Sequence, residues 1–366
     1  MSTRGWLVVC LSLAFLDLLG GCDSSTSQPP PAPTLAKELV LYNWVDDMPR
    51  SVLDAFTGEY GVRIKEVTFE SQEEAVEHLA NNQVYDVAVI ENPFIPALTA
   101  DNKLARIDFR HLPNFKNISA NFRDLAADPG NQFTVPYHYG TTGLLVRTDL
   151  IDRPVTSWGD LWQPHSAGRV AVRAQPRELL ALTLLSLGYS LNSEDPKEIE
   201  AATERLLQLK KAAVLVEVDT PKAVADLLSG KVVMLLGWPM DYQFAHAANP
   251  KVAYVLPREG TALWSDNYVI PASSSRKYTA EVFINFLLRP EISARIVNEK
   301  KYPNANEAAL PLIDPEIRHD PVTSPTPETL RAAHFYLPLS PRGTGLYQRA
   351  WDRFLAAPPA NGGRHE

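Results

Sequence analysis

Strand and helix signals alternate regularly from Glu38 onward, and this alternation limits the possible folds more than any other feature of the sequence. The predicted elements are a strand at 39–44, a helix at about 49–60 that Gly61 ends, a strand at 62–69, a helix that Ser71 and Glu74 cap, and a strand at 86–90. This βαβαβ order predicts a parallel sheet with helices on its faces.

A second group of elements of the same kind follows. It comprises a strand at 168–173, helices that begin at Pro176, Pro196 and Thr220, strands at 232–237 and 262–273, and a helix from about 277. The sequence therefore predicts an α/β protein with two lobes, between which the chain crosses near residues 141–145 and 263–268. Ligands of open α/β sheets bind beyond the carboxyl ends of the strands, so residues that follow strands are the candidates for a site.

Length and charge exclude several classes of function. The 366 residues suffice for two domains, and the formal net charge of −8 disfavours nucleic acid as a partner and is compatible with a cationic ligand. The sequence holds no nucleophile elbow, zinc-protease motif or phosphate-binding loop, and its eight histidines show no metal-ligand spacing. We therefore predict that the protein is not an enzyme and that it needs no cofactor or metal.

The first 21 residues have the features of a secretory signal. Arg4 supplies the positive charge, and the apolar run at 6–16 is too short to span a bilayer well. The segment ends in Leu-Gly-Gly-Cys, which resembles a bacterial lipobox, so Cys22 would carry lipid as the first residue of the mature protein. A cleaved signal with an incidental cysteine is the alternative. Because Cys10 leaves with the signal, the folded body is predicted to contain no disulfide.

The ends of the mature chain are predicted to be tails. Residues 22–37 are rich in Ser and Thr and then in Pro, a composition typical of an extended tether. Asp23 resembles an inner-membrane retention signal, which favours a periplasmic protein that is anchored to that membrane only by its lipid. Residues 359–366 are predicted to be a frayed terminus.

Three tryptophans are each followed closely by an aspartate near the end of a predicted strand. Trp44 precedes Asp46 and Asp47, Trp238 precedes Asp241, and Trp264 precedes Asp266. An indole face attracts a cation and covers methylene groups, and a carboxylate accepts charge-assisted hydrogen bonds from an ammonium group. For each pair alone, a core-edge tryptophan and a helix N-cap aspartate are the favoured interpretation, and it is the occurrence of three such pairs in one chain that supports a ligand site. Paired carboxylates beside tryptophan also suit a glycosidase, but the excess of acids favours a cation.

Residues 38–355 resemble the periplasmic spermidine/putrescine-binding proteins of ABC transporters. The matching stretches are LYNWVDDMP, TSWGDLWQP, DPKEIEAA, INFLLRPEI and YPNANEAA. The resemblance implies the type II periplasmic-binding-protein fold, a monomer in which two α/β lobes are joined by a hinge and hold ligand between them. Lobe 1 would comprise 38–143 and 264–303, and lobe 2 would comprise 144–263 and 304–358.

The resemblance also implies ligand-binding positions. The residues that match the family's positions are Trp44, Asp46, Glu178, Trp238, Asp241, Trp264, Asp266 and Tyr302. Four candidates depart from the family's residues at their positions: Asp47, Glu91, Gln175 and Tyr336. One carboxylate is lost at Gln175 and one is gained at Glu91, so a guanidino compound such as agmatine becomes an alternative ligand.

The predicted function is extracytoplasmic binding of a putrescine- or spermidine-like cation and its delivery to the permease of an ABC importer. The alternative is a polyamine-sensing lipoprotein that presents its closed form to a membrane receptor. The binding residues do not distinguish import from sensing.

Overall fold

The computed structural model describes residues 34–163, 169–210, 213–216 and 220–358. The predicted signal, the predicted lipidation site Cys22 and residues 359–366 lie outside this range. The end of the predicted tether lies within it. There, Leu35 packs against the core of the first sheet, and the Ala36 amide donates to Thr279 Oγ1 at 2.8 Å. None of the described helices is both long enough and apolar enough to cross a membrane.

Strands and helices alternate as the sequence predicts. The strands are β1 (Glu38–Trp44), β2 (Arg63–Phe69), β3 (Val87–Glu91), β4 (Thr134–Thr141), β5 (Gly143–Arg147), β6 (Val170–Arg173), β7 (Ala213–Val216), β8 (Met234–Gly237), β9 (Val252–Val255), β10 (Thr261–Val269) and β11 (Ala333–Phe335). The helices are α1 (Arg50–Tyr60), α2 (Gln72–Ala80), α3 (Ile95–Ala100), α4 (Pro176–Ser186), α5 (Pro196–Lys210), α6 (Thr220–Leu228), α7 (Pro239–Ala248), α8 (Lys277–Leu287), α9 (Pro290–Lys300), α10 (Pro315–Arg318), α11 (Pro327–Ala332) and α12 (Pro341–Ala356).

Two local signals act as predicted from the sequence. Gly61 ends α1 in the left-handed conformation (φ 68°), and its amide donates to the Thr57 carbonyl. The Ser71 side chain accepts from the Glu74 amide at the start of α2, while the Glu74 carboxylate accepts from the Glu70 amide. These caps fix where the helices beside the first sheet begin and end.

The strands form two sheets. The first has the order β11-β10-β3-β1-β2, with β4 also paired to β10, and the second has the order β7-β6-β8-β5-β9. β1 runs parallel to β2 and β3, as predicted, whereas β10 runs antiparallel to β3 and β4. Within β1, Leu39 and Leu41 face one core cluster and Val40 and Tyr42 face another, so the first sheet is covered on both faces.

The chain passes between the sheets at Thr142 and again between β9 and β10. β10 contacts both cores: Ala262 and Trp264 pack with residues of the second sheet, and Tyr268 packs with the first. After β10, Ala309 and Ile313 pack against α9. The exact lobe boundaries stay a prediction.

Candidate ligand-binding site

A cavity of about 480 Å³ is lined by residues from both sheets. The lining residues that the sequence predicted are Trp44, Asp46, Asp47, Glu91, Gln175, Glu178, Trp238, Trp264, Asp266, Tyr302 and Tyr336. The lining residues that it missed are Val45, Glu70, Gln72, Glu73, Phe94, His138, Arg177 and Met240. Asp241 is the candidate that does not line the cavity.

The strand ends explain why these side chains meet. Trp44 is the last residue of β1 and Glu91 the last of β3, while Gln175 follows β6 and Trp238 follows β8. These four strands all present their carboxyl ends to the cavity, as the rule for open α/β sheets predicts. Trp264 and Asp266 lie on β10, which runs antiparallel beside β3.

Asp266 is a deeply buried acid of the cavity, with 3% of its surface exposed. Its Oδ2 accepts from Trp44 Nε1 at 3.2 Å and lies 3.4 Å from His138 Nδ1. Its Oδ1 has no hydrogen-bond partner among the described residues. Burial raises the pKa of Asp266 to about 6, although the neighbouring His138 lowers it. A buried carboxylate oxygen without a donor is a ready acceptor for a cation.

His138 joins two of the acids. Its Nε2 lies 3.0 Å from Asp47 Oδ1, and its ring stacks on Tyr302 with 5.1 Å between centroids. Burial lowers the pKa of His138, but Asp47 and Asp266 together outweigh burial and raise it. His138 lies within β4 and not beyond a strand end, so the rule for open α/β sheets does not predict it. The signal that could have indicated it is the presence of a histidine within a buried run of residues, directly before the predicted crossing at 141–145.

Glu178 occupies another part of the cavity. Its Oε1 accepts from Trp238 Nε1 at 3.2 Å and from the Thr142 hydroxyl, and its Oε2 has no partner within the described ranges. Burial raises the pKa of Glu178 against these two hydrogen bonds, which lower it. The Tyr336 hydroxyl is also buried and without a described partner, and Gln175 Nε2 donates to the Glu70 carbonyl at 3.2 Å.

Asp241 has internal partners instead. Its Oδ1 accepts from Arg173 at 2.7 Å, and its Oδ2 accepts from the Trp238 amide at 2.8 Å, which caps α7. Both charged side chains have 0% exposure. The Arg173 guanidinium also lies 4.2 Å from the centroid of the Trp238 ring. Asp241 thus holds Arg173 and Trp238 in place from behind the cavity.

Asp46 lies at the rim, where its side chain is 73% exposed and pairs with Lys300 at 2.8 Å. Its backbone has a φ of 55°, a left-handed conformation that aspartate tolerates better than most residues. Trp264 and Tyr302 meet edge to face with 5.6 Å between centroids. Within the described ranges, no group of His, Cys, Asp and Glu side chains could hold a metal ion.

A family model described as a bacterial extracellular solute-binding protein matches residues 51–324. This chain belongs to the bacterial extracellular solute-binding protein family. The description of this family names the binding of a solute and names no reaction. The predicted resemblance to spermidine/putrescine-binding proteins is confirmed by the relatives described next.

Among the relatives of this solute-binding protein is the spermidine/putrescine-binding periplasmic protein of Escherichia coli (strain K12), which is 33% identical over 80% of this chain and 84% of its own. The putrescine/agmatine-binding protein of Pseudomonas aeruginosa is 32% identical over 86% and 90%. A solved structure of a spermidine/putrescine ABC transporter substrate-binding protein from Streptococcus pneumoniae has a TM-score of 0.75 and 29% identity, and covers 87% of this chain and 99% of that one. The predicted type II periplasmic-binding-protein fold is thereby confirmed.

Proposed function

We propose that this solute-binding protein binds a linear polyamine in the cavity and delivers it to the permease of an ABC importer. The observation that carries the proposal is the pair of buried carboxylates, Asp266 and Glu178, each of which has one oxygen without a partner among the described residues. Both acids line a cavity that also presents the rings of Trp44, Trp238 and Trp264.

The two kinds of side chain suit the two parts of a polyamine. Ammonium groups donate to buried carboxylates, and a buried charge is tolerated only when it is paired. The methylenes between the ammonium groups lie against aromatic rings, where burial contributes about 0.8 kcal/mol for each methylene. The names of the relatives, which specify spermidine, putrescine and agmatine, support this class of ligand.

The proposal includes the predicted membrane anchor and the hinge. We infer that Cys22 carries lipid and holds a monomer at the periplasmic face of the inner membrane, with residues after it as a tether. Lobe 1 (38–143 and 264–303) and lobe 2 (144–263 and 304–358) would close around the amine. The chain passages at Thr142 and before β10 support a hinge at these places.

Uptake by cells tests the delivery step. Cells that lack this gene should take up radiolabelled putrescine or spermidine more slowly than the parent strain, and the full-length gene should restore the rate. Restoration by a variant that does not bind amine would contradict the proposal. Unchanged uptake in the deletion strain would favour the sensing alternative.

Amine affinity should increase as the pH is raised from 5 to 8. A bound ammonium favours the ionised acids, so binding releases the protons that burial retains on Asp266, Glu178 and Glu91. Because the pKa of Asp266 is about 6, protonation of this acid alone should lower the association constant about tenfold at pH 5. The pKa of His138 is raised by Asp47 and Asp266, and the loss of positive charge from this ring as the pH rises acts in the same direction. Calorimetric titration at several pH values measures the effect, and affinity that falls with rising pH would contradict the account.

A further inference from the structure

Glu91 and Asp266 are direct neighbours across two strands. The antiparallel register of β3 and β10 places Glu91 opposite Asp266. Side chains in such positions project from the same face of a sheet, with Cβ atoms about 4.5–5.5 Å apart. Both carboxylates line the cavity, and like charges in this arrangement repel each other unless a cation or a proton lies between them.

Each of these two acids has further charged groups near it. On one side of Asp266, His138 connects it to Asp47. Burial raises the pKa of Glu91, and the neighbouring Asp266, Glu178 and Glu73, which line the same cavity, raise it further. A ligand whose end ammonium groups pair with Asp47 and with Glu178 would place its middle against Glu91 and Asp266.

The protein compensates the charge of this pair only in part, because His138 lowers the pKa of Asp266 and Arg177 lowers that of Glu91, yet both pKa values stay raised. Across the described ranges, no Lys, Arg or His nitrogen lies within 4.0 Å of the Glu91 carboxylate. Arg177 lines the same cavity, but it donates to Leu191 and Leu337 carbonyls, to Asn192 and to Tyr347, which are all neutral. In addition, Asp266 Oδ1 is buried without a described partner. The two neighbouring carboxylates therefore have no Lys, Arg or His nitrogen in ion-pair distance of Glu91 among the described residues.

We infer that Glu91 and Asp266 together form a site for the internal secondary ammonium of a linear triamine, and that Glu91 selects triamines over diamines. A secondary ammonium has two N–H donors, one for each carboxylate. A diamine carries charge only at its ends, so its methylenes would lie against the pair and leave two desolvated acids without an ammonium partner. This inference rests on the proposed function.

Calorimetric titration of the full-length chain with spermidine and putrescine tests the inference. Wild-type protein should bind spermidine more tightly than putrescine. Glu91→Gln, which removes the charge and keeps the shape, should weaken spermidine binding about 30-fold or more and change putrescine binding much less. Glu77→Gln is the matched control because Glu77 is an exposed acid of the nearby helix α2 that does not line the cavity. This control should change either affinity by less than about twofold.

The outcomes separate this inference from the function on which it rests. Equal losses for both amines in Glu91→Gln, or no loss for spermidine, would overturn the selection by Glu91 while leaving polyamine binding intact. A larger loss for agmatine than for spermidine would also overturn it, because the pair would then receive a guanidinium. No binding of any amine by the wild type would instead overturn the proposed function. If Glu91→Gln does not fold, Glu91→Met, a second neutral variant of similar length, should show the same selective loss of spermidine binding.

Discussion

Asp266→Ala should weaken polyamine binding by about 2–5 kcal/mol, a factor of about 30 to 5,000. The change removes the carboxylate whose Oδ1 is free to accept from a ligand and leaves Trp44 Nε1 without its acceptor. A buried ammonium would then keep Glu91, which lies opposite on β3, but would lose its second carboxylate. Titration of the variant with spermidine and putrescine measures the loss.

The stability of Asp266→Ala serves as the control for folding. Burial raises the pKa of Asp266 to about 6. The ionised form of this acid is therefore less stable in the native protein than in the unfolded chain, and at pH 7.5 it lowers the free energy of unfolding. Removing this acid should therefore not lower the thermal unfolding midpoint of the empty protein at pH 7.5. Unchanged affinity in a folded Asp266→Ala variant would show that Asp266 does not bind the amine.

Asp241→Ala should have a different effect, a loss of about 3–5 kcal/mol in the free energy of unfolding. The change removes the carboxylate that neutralises the buried Arg173 guanidinium and leaves the Trp238 amide at the start of α7 without its cap. Denaturation by urea measures the loss. The double variant Arg173→Leu and Asp241→Leu should recover part of the lost free energy of unfolding, because both charges of the buried pair are then removed.

An ion pair at the surface provides the comparison for Asp241. Lys231 and Asp226 lie 2.8 Å apart, but the lysine side chain is 59% exposed. Asp226→Ala should therefore change the free energy of unfolding by about 0–1 kcal/mol. If Asp241→Ala were as mild as Asp226→Ala and weakened amine binding strongly, Asp241 would be a ligand contact rather than a support for Trp238.

The sequence predicted the elements of the fold well because their signals are local. The caps at Gly61 and Ser71 and the prolines at Pro176 and Pro196 each determine a helix boundary within a few residues. The candidates beyond strand ends were also predicted correctly as a group, because the carboxyl ends of neighbouring parallel strands lie at the same edge of a sheet.

The parts that the sequence did not predict depend on long-range contacts. His138 joins the cavity because β4 pairs with β10, which places Gly140 opposite Trp264. A Cβ atom at Gly140 would lie 2.2 Å from Trp264 Cζ2, so this glycine leaves the space that the indole occupies. The spacing of Trp238 and Asp241 was compatible with a ligand contact and with a helix cap. Only the position of Arg173, 68 residues before Asp241, distinguishes them.

Calorimetric titration of the full-length wild-type chain tests the central claim most directly. The protein would first be unfolded and refolded to remove bound amine, and then titrated with putrescine, spermidine and agmatine in separate experiments. We expect saturable binding at one site, with spermidine bound more tightly than putrescine. The absence of saturable binding for all three amines, in protein whose cooperative unfolding shows that it has refolded, would contradict the assignment of a polyamine to this cavity.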